Sequence, residues 1–334
     1  MVRPSASIAL RRTDENAAEI AALASRVGEM VGVEGVFANL NRQARPIETP
    51  GSAVTRAYAW EGRDDWDSRW WPQGITWSTD VSVSEGVIVT SAYAKNRAGI
   101  TCGSRIAIVD MATLRYRHVL LVRPVLRGRR ATFRPLRVHA GGLVWFGPSY
   151  LHVAGSRRGI LTCRMEDILA VPPSRATLGH RYILPVRFAY AAAAGNMTYS
   201  FLSLDRSVTP PELVAGEYGR ESMPTRLARF EIDGDWLTTH TAGASAPTLF
   251  DDRGLAHMQG AVSVEGTWYV TQSRGPQGLG QLQVGQPGAF RRYPGALPIG
   301  PEDITYWPAR DELWSQTEHP GSRCFFAMDR SQFA

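Results

Sequence analysis

Short apolar runs recur along this chain. Each is opened by a small or polar residue and followed, after a turn, by a second β-rich run. The clearest copies are Gln73-Gly74-Ile75-Thr76-Trp77 with Gly86-Val87-Ile88-Val89-Thr90, and Gln259-Gly260-Ala261-Val262-Ser263 with Gly266-Thr267-Trp268-Tyr269-Val270-Thr271. A third is Glu302-Asp303-Ile304-Thr305-Tyr306 with Asp311-Glu312-Leu313-Trp314-Ser315. A recurring strand–turn–strand unit is the sequence mark of radially arranged sheets. The pattern predicts an all-β, five-bladed β-propeller, with blades at 72–135, 136–178, 181–240, 255–296 and 298–334. Blade two opens at His139-Ala140-Gly141-Gly142-Leu143, and blade three at Pro185-Val186-Arg187-Phe188-Ala189-Tyr190 with Met197–Leu202 as its second strand.

A different period governs the start. Ile20, Leu23, Val27, Met30 and Val31 fall at helical spacing, so 14–32 reads as an amphipathic helix capped by Thr13 or Asp14. The stretch 41–51 reads as a loop. Two divisions follow: 1–50 as helix and linker, and 51–334 as one propeller domain. The last blade has three evident strands, and Val54–Trp60 is expected to supply the fourth, closing the ring and hiding a sheet edge. Five tryptophans (60, 66, 70, 71 and 77) gather where the ring would close; they read as core fillers, with an aromatic rim for a flat ligand as the alternative.

Composition narrows the class. The chain has 334 residues, 44% hydrophobic and 20% charged, ordinary values for a globular protein. No run of 18 apolar residues exists, so no membrane partner is expected. Arg11-Arg12 is followed by Thr13-Asp14-Glu15-Asn16 and not by an apolar stretch, so the chain as it stands predicts a cytoplasmic protein without an export signal. The three cysteines, Cys102, Cys163 and Cys324, lack metal-ligand spacing and read as inert thiols. Net charge is +6, and Lys95 is the only lysine; the rest of the basic residues are arginine, which points to GC-rich, bacterial coding. The densest basic stretch, from Arg123 through Arg127, Arg129, Arg130 and Arg134 to Arg137, reads as a solvated loop. No nucleic-acid module is present, so no nucleic-acid partner is expected.

Several chemistries lack their motif. There is no phosphate-cradling Gly-x-x-x-x-Gly-Lys-Ser/Thr loop, no Gly-x-Ser-x-Gly elbow and no His-Glu-x-x-His. Gly278-Leu279-Gly280 sits in a turn-rich hairpin and gives no support to a nicotinamide or flavin site. Radial sheets instead bring the residues that open their inner strands together at the axis. Those residues are Gln73, His139, His257, Gln259, Glu302 and Asp303. A second cluster, Thr317-Glu318-His319-Pro320-Gly321, offers Glu318 as a base or hard-metal ligand and His319 as a proton carrier. Its bland reading is a polar turn. The candidate catalytic set is Glu318, His319, Glu302, Asp303 and His257; the candidate substrate-binding set is Gln73, Gln259, His139, Trp77 and Tyr306. His118, His152, His180 and His240 read as structural.

The phrase Asp311-Glu312-Leu313-Trp314-Ser315-Gln316-Thr317-Glu318 resembles the repeated Asp-Gly-x-Leu/Ile-Trp-Phe-Thr-Glu phrase of streptogramin B lyase-type propellers, and Gly300-Pro301-Glu302-Asp303-Ile304 resembles the phrase before it. The likeness covers about a sixth of the chain, in one blade, and that family has seven blades. It implies a lyase that opens a cyclic depsipeptide by elimination with Mg²⁺, and it carries over Glu318 as metal ligand and, less directly, His319. Cofactor expectations are therefore none or Mg²⁺.

Three functions remain open on these residues. The first is a non-redox enzyme acting on a small molecule in the central funnel by elimination or cyclisation, with specialised metabolism as its expected setting. The second is a non-catalytic ligand- or protein-binding scaffold. The third is a glycoside hydrolase, which needs carboxylates on separate blades; Glu85, Asp205 and Glu265 are its extra candidates.

Overall fold

The computed structural model describes residues 8–78, 86–128, 130–146, 149–192, 197–220, 223–239 and 243–333. Glu85, Arg129 and His240 lie outside them. The described chain is mostly strand, arranged as a propeller-like ring of antiparallel sheets. The first unit runs Trp70–Ser78, Val87–Lys95, Thr101–Asp110 and Arg115–Arg127, extended by Arg130–Pro135. The second is Leu143–Phe146, Tyr150–Ala154, Ile160–Arg164 and Tyr182–Ala192. The third is Phe201–Asp205, Glu212–Gly216 and Leu227–Asp233, edged by Trp236–Leu237 and Leu249–Asp251. The fourth is Met258–Val264, Thr267–Gln272, Leu279–Gln286 and Ala289–Ile299. The last is Pro301–Trp307, Glu312–Thr317 and Cys324–Asp329, completed by Val54–Ala59, which pairs antiparallel with Cys324–Asp329 as the sequence led one to expect.

The first strands of these units pack against one another in a cycle. Trp70–Ser78 meets Leu143–Phe146, which meets Phe201–Asp205; Met258–Val264 and Pro301–Trp307 follow, and the last returns to Trp70–Ser78. Alternate side chains point to opposite faces of a strand, so each sheet feeds two cores. Phe201 packs with Met258, Trp268 and Val270 on one side, while Leu202 and Leu204 pack with Val144 and Phe188 on the other. With both faces covered, apolar residues occupy both faces of the strands, interrupted by buried Ser, Thr and Gln. Polar side chains stitch neighbouring units near the axis: the Ser91 hydroxyl donates to the Ala140 carbonyl at 2.5 Å, Ser203 to Ala261 at 2.6 Å, Thr271 to Glu302 at 2.6 Å and the Gln316 amide to Gly74 at 2.7 Å. Close approach requires glycine here. A Cβ on Gly142 would stand 1.9 Å from the Leu202 nitrogen.

Several expectations are corrected. The helix is Ala17–Val27, shorter than 14–32. Gly28 is extended and packs so tightly that a Cβ would lie 1.8 Å from the Ala170 carbonyl oxygen. Glu29–Met30 then pairs with Leu169–Ala170, and Met30 is exposed. The helix buries Ile20 and Leu23. The 41–51 loop contains Arg42–Gln43, paired with Arg115 and Tyr116, and Arg45–Ile47, which extends the closing sheet. The expected opening of the third blade at Pro185 is the outer strand of the second unit. Tyr182–Ala192 pairs antiparallel with Ile160–Arg164 on one edge and, through Ile183–Pro185, parallel with Leu120–Val122 on the other. Covered on both edges and faces, it carries the apolar run of an inner strand. Phe201, assigned to a second strand, begins the first. Of the clustered tryptophans, 60, 70 and 77 are buried and Trp66 is exposed. The three cysteines are free thiols.

Candidate active site

Three inner strands open with the same irregularity. The pairing register shifts between Pro72 and Ile75, between Met258 and Gly260, and between Pro301 and Ile304. A bulge inserts unpaired residues and re-aims their side chains. Here the displaced residues include Gln73, Gln259 and Glu302, and all three line one cavity of about 450 Å³ at the end of the ring where the inner strands begin. His139, which precedes the second unit's inner strand, and Glu318, from the turn after Glu312–Thr317, line it too. An adjoining cavity of about 670 Å³ shares Tyr218, Gln259 and Glu318 with the first and adds His257 and His319. Seven of the ten candidate residues therefore meet around one funnel.

The remaining three do not. Asp303 is fully buried between units, where its Oδ2 accepts the Ile75 N–H at 3.1 Å. It fastens two inner strands and faces no cavity. Trp77 lies four residues beyond Gln73, about 13 Å along the strand. Its ring stacks on Trp307 at 5.2 Å, and its indole N–H donates to the Tyr306 carbonyl. The Tyr306 hydroxyl donates to Asp311 at 2.8 Å. Trp77 and Tyr306 thus belong to the packing at the opposite end of the ring. Asp205 is ion-paired with Arg229, and Glu265 is exposed 3.5 Å from Arg330. Neither lines the funnel.

Two carboxyl groups dominate the site. Glu302 is 3% exposed, and burial first, then the charges of Glu318 and Asp303, push its carboxyl well above the ordinary value of 4.5. Burial raises Glu318 as well, opposed by His319, Lys95 and Arg323. Both line the same cavity wall. Like charges close together disfavour each other's ionisation, so the pair is held toward protonation, Glu302 more strongly than Glu318. His319 Nε2 lies 4.0 Å from Glu318 Oε1, its ring lodged against Gly300. Gly300 has φ +67°, and a Cβ there would stand 2.6 Å from the imidazole. His139 is exposed to the cavity and packs on the Tyr93 ring at 4.2 Å. His257 is exposed at the rim and stacks on Tyr218 at 5.4 Å.

Sequence reasoning missed Tyr93, Lys95, Tyr218 and Arg220, which line the same cavity. Burial, followed by the charges of Glu318 and Glu302, keeps the Tyr93 phenol un-ionised. The Lys95 ammonium sits over the Trp71 ring at 4.6 Å and the Tyr93 ring at 5.1 Å. Among the described residues it forms no ion pair. The available signal was its singularity: the chain's one lysine lies on the axis.

The residues do not fit the Mg²⁺ that the lyase resemblance implies. Among the described residues no group of three His, Cys, Asp or Glu side chains is placed to hold a metal ion. Mg²⁺ is held by oxygen ligands in near-octahedral geometry, whereas Glu318 already has the positive groups Lys95 and Arg323 near it.

No protein-family model matches this chain, and no curated protein matches it. Solved structures similar to it include a gluconolactonase from Xanthomonas campestris, 14% identical over 86% of this chain and 87% of that one, with a TM-score of 0.42. A GH43_1 enzyme from Xanthomonas citri is 11% identical over 93% and 92%, with a TM-score of 0.42. The compost metagenome β-xylosidase/α-arabinofuranosidase CoXyl43 is 9% identical over 86% and 95%, with a TM-score of 0.39. Likeness at this level carries no inference about the activity of this chain.

Proposed function

We propose that residues 51–334 form one five-bladed propeller enzyme, and that it carries out non-redox acid–base chemistry on a small molecule in the axial funnel. The observation that carries this reading is that Glu302 and Glu318, two carboxyls both pushed up by burial, line one open, polar cavity. Neutral Glu302 is a general acid; ionised Glu318, beside it, is a general base. Such a pair suits elimination. Glu318 takes the proton from carbon next to a carbonyl, the C–H electrons become a C=C bond, and the C–O bond at the next carbon breaks. Glu302 gives its proton to the departing oxygen, so water or an alcohol leaves. The pair then holds one proton again, on the other carboxyl. The un-ionised Tyr93 hydroxyl and the Lys95 ammonium are the donors for charge developing on the carbonyl oxygen. Run within one molecule in reverse, the same proton movements close a ring. No metal enters any step.

A scaffold would be expected to fill its axis with apolar side chains. The open polar funnel supports the enzymatic reading. A glycoside hydrolase is the second reading, since such enzymes use two carboxyl groups flanking the bond they cleave and Glu302 and Glu318 line one cavity.

The test is a screen of β-hydroxy and β-alkoxy carbonyl compounds, read by mass spectrometry for loss of water or alcohol, followed by Glu318→Gln and Glu302→Gln. General acid and base groups each contribute roughly 10²–10⁴-fold. Losses of that size, with an unchanged melting temperature for Glu318→Gln, are expected. Turnover unaltered in both variants removes the assignment.

A further inference from the structure

A third cavity, of about 400 Å³, lies beside the axial one and shares His139 and Ser156 with it. Its chemistry differs from the funnel's. Arg137, Arg157 and Arg158 line it together with the hydroxyl residues Thr101, Ser156 and Thr198, and no carboxylate does. The three guanidinium groups are exposed and form no side-chain ion pair or hydrogen bond among the described residues. By contrast, Arg226 is committed to Glu217, which also accepts the Thr198 N–H at 2.7 Å.

The backbone at the junction is also unusual. Ser156 has φ +56°, the left-handed region that non-glycine residues seldom occupy. It is held there by a mutual bridge to Tyr199: the Ser156 N–H donates to the Tyr199 carbonyl at 3.1 Å, and the Tyr199 N–H returns to the Ser156 carbonyl at 3.2 Å. That conformation turns the chain so that Ser156 borders both cavities while Arg157 and Arg158 stand at the side pocket. Strain of this kind gathers at ligand sites.

We propose that this side pocket is an oxyanion site, which seats a phosphate or carboxylate tail of the small molecule whose reacting part lies at Glu302 and Glu318. Planar guanidinium groups bind both oxyanions in bidentate fashion, and the hydroxyls supply the remaining donors. A tail anchored past Ser156 directs the rest of the molecule through the opening at His139 onto the axis. Naming the tail as part of a substrate rests on the acid–base reading; the anion site itself does not.

The experiment is isothermal titration of the full chain with pyrophosphate and, separately, with citrate, at low ionic strength and again at about 0.15 M salt. One equivalent of at least one probe binds. Tighter pyrophosphate marks a phosphate tail, and tighter citrate a carboxylate tail. Replacing Arg157 and Arg158 together by Ala, or Arg137→Gln alone, weakens binding about tenfold or more. Replacing Arg123 and Arg134 by Ala, on the outer hairpin, leaves it unchanged. Absence of binding by both probes overturns the proposal, as does equal weakening by the hairpin variant, which would mean diffuse attraction to a basic surface. Glu302→Gln keeps the anion affinity of the parent. Loss of the anion site with intact Glu302-dependent turnover therefore sinks this inference alone, while intact anion binding with Glu302-independent turnover sinks only the acid–base reading.

Discussion

Two ionisable clusters lie in this ring, and they are built on opposite terms. One surrounds Asp64, which is buried between Arg105 at 3.3 Å, Arg42 at 3.1 Å and His118 Nε2 at 3.1 Å, with the Tyr116 hydroxyl donating to it at 2.6 Å. Burial alone would raise its carboxyl, but His118, Arg105 and Tyr116 outweigh that and hold it far below the ordinary range. The adjacent space is only about 20 Å³, the size of one water. The other cluster is Glu302 with Glu318: two like groups, raised instead of lowered, facing about 450 Å³ of open cavity. A carboxylate surrounded by cations is satisfied and inert. A carboxyl pair held toward protonation and open to a ligand is poised to move a proton. Burial is common to both, so the partners and the adjoining space make the difference.

The largest effect that sharpens this contrast is on stability. Asp64→Ala leaves buried Arg105 and half-buried Arg42 without a counter-charge and should cost about 3–5 kcal/mol in denaturant unfolding. A loss below 1 kcal/mol would mean that the cluster does not fasten the ring.

The pH response of Glu302 has the opposite sign to that of an ordinary carboxylate. Its folded value is above 4.5, so between the two values the folded state binds more protons than the unfolded one. Stability is then greatest below 4.5 and declines as pH rises through that window. Glu302→Gln removes the decline, and the variant should gain on the parent by up to about 1.4 kcal/mol per pH unit. A variant that loses ground as pH rises contradicts the protonated assignment.

The smallest effect belongs to His118. Burial, then Arg105, push it down to about 4 despite Asp64. Its contribution is present above the unfolded value of 6.5 and lost as pH falls toward 4. His118→Gln should flatten the acid limb of the stability curve by one proton's slope while leaving the alkaline limb alone. Unchanged acid dependence would place the titrating group elsewhere.

The legible part of the site came from strand openers. Gln73, Gln259 and Glu302 share an x-(Gln/Glu)-(Gly/Asp)-apolar phrase, and that phrase is where the inner strands bulge. Trp77 and Tyr306 belong to the same strands, but distance along a strand separates its two ends, and being on an inner strand says nothing about which end holds the funnel. Tyr93 and Lys95 sit on a second strand, and their reach to the axis depends on how the sheets are set against each other, which no local pattern encodes. Side-pocket residues such as Arg157 and Thr198 come from two units and meet only through the Ser156–Tyr199 bridge. Tyr182–Ala192 misled because a strand covered on every side looks alike at the hub and at the edge.

The most direct measurement is difference infrared spectroscopy at neutral pH, comparing the carboxyl C=O stretch of the parent with that of Glu302→Gln. The account predicts that Glu302→Gln removes one component of the protonated-carboxyl band, and that this component survives Asp303→Asn, although the buried Asp303 carboxyl is also pushed up. A spectrum in which Glu302→Gln removes only ionised-carboxylate intensity would contradict it.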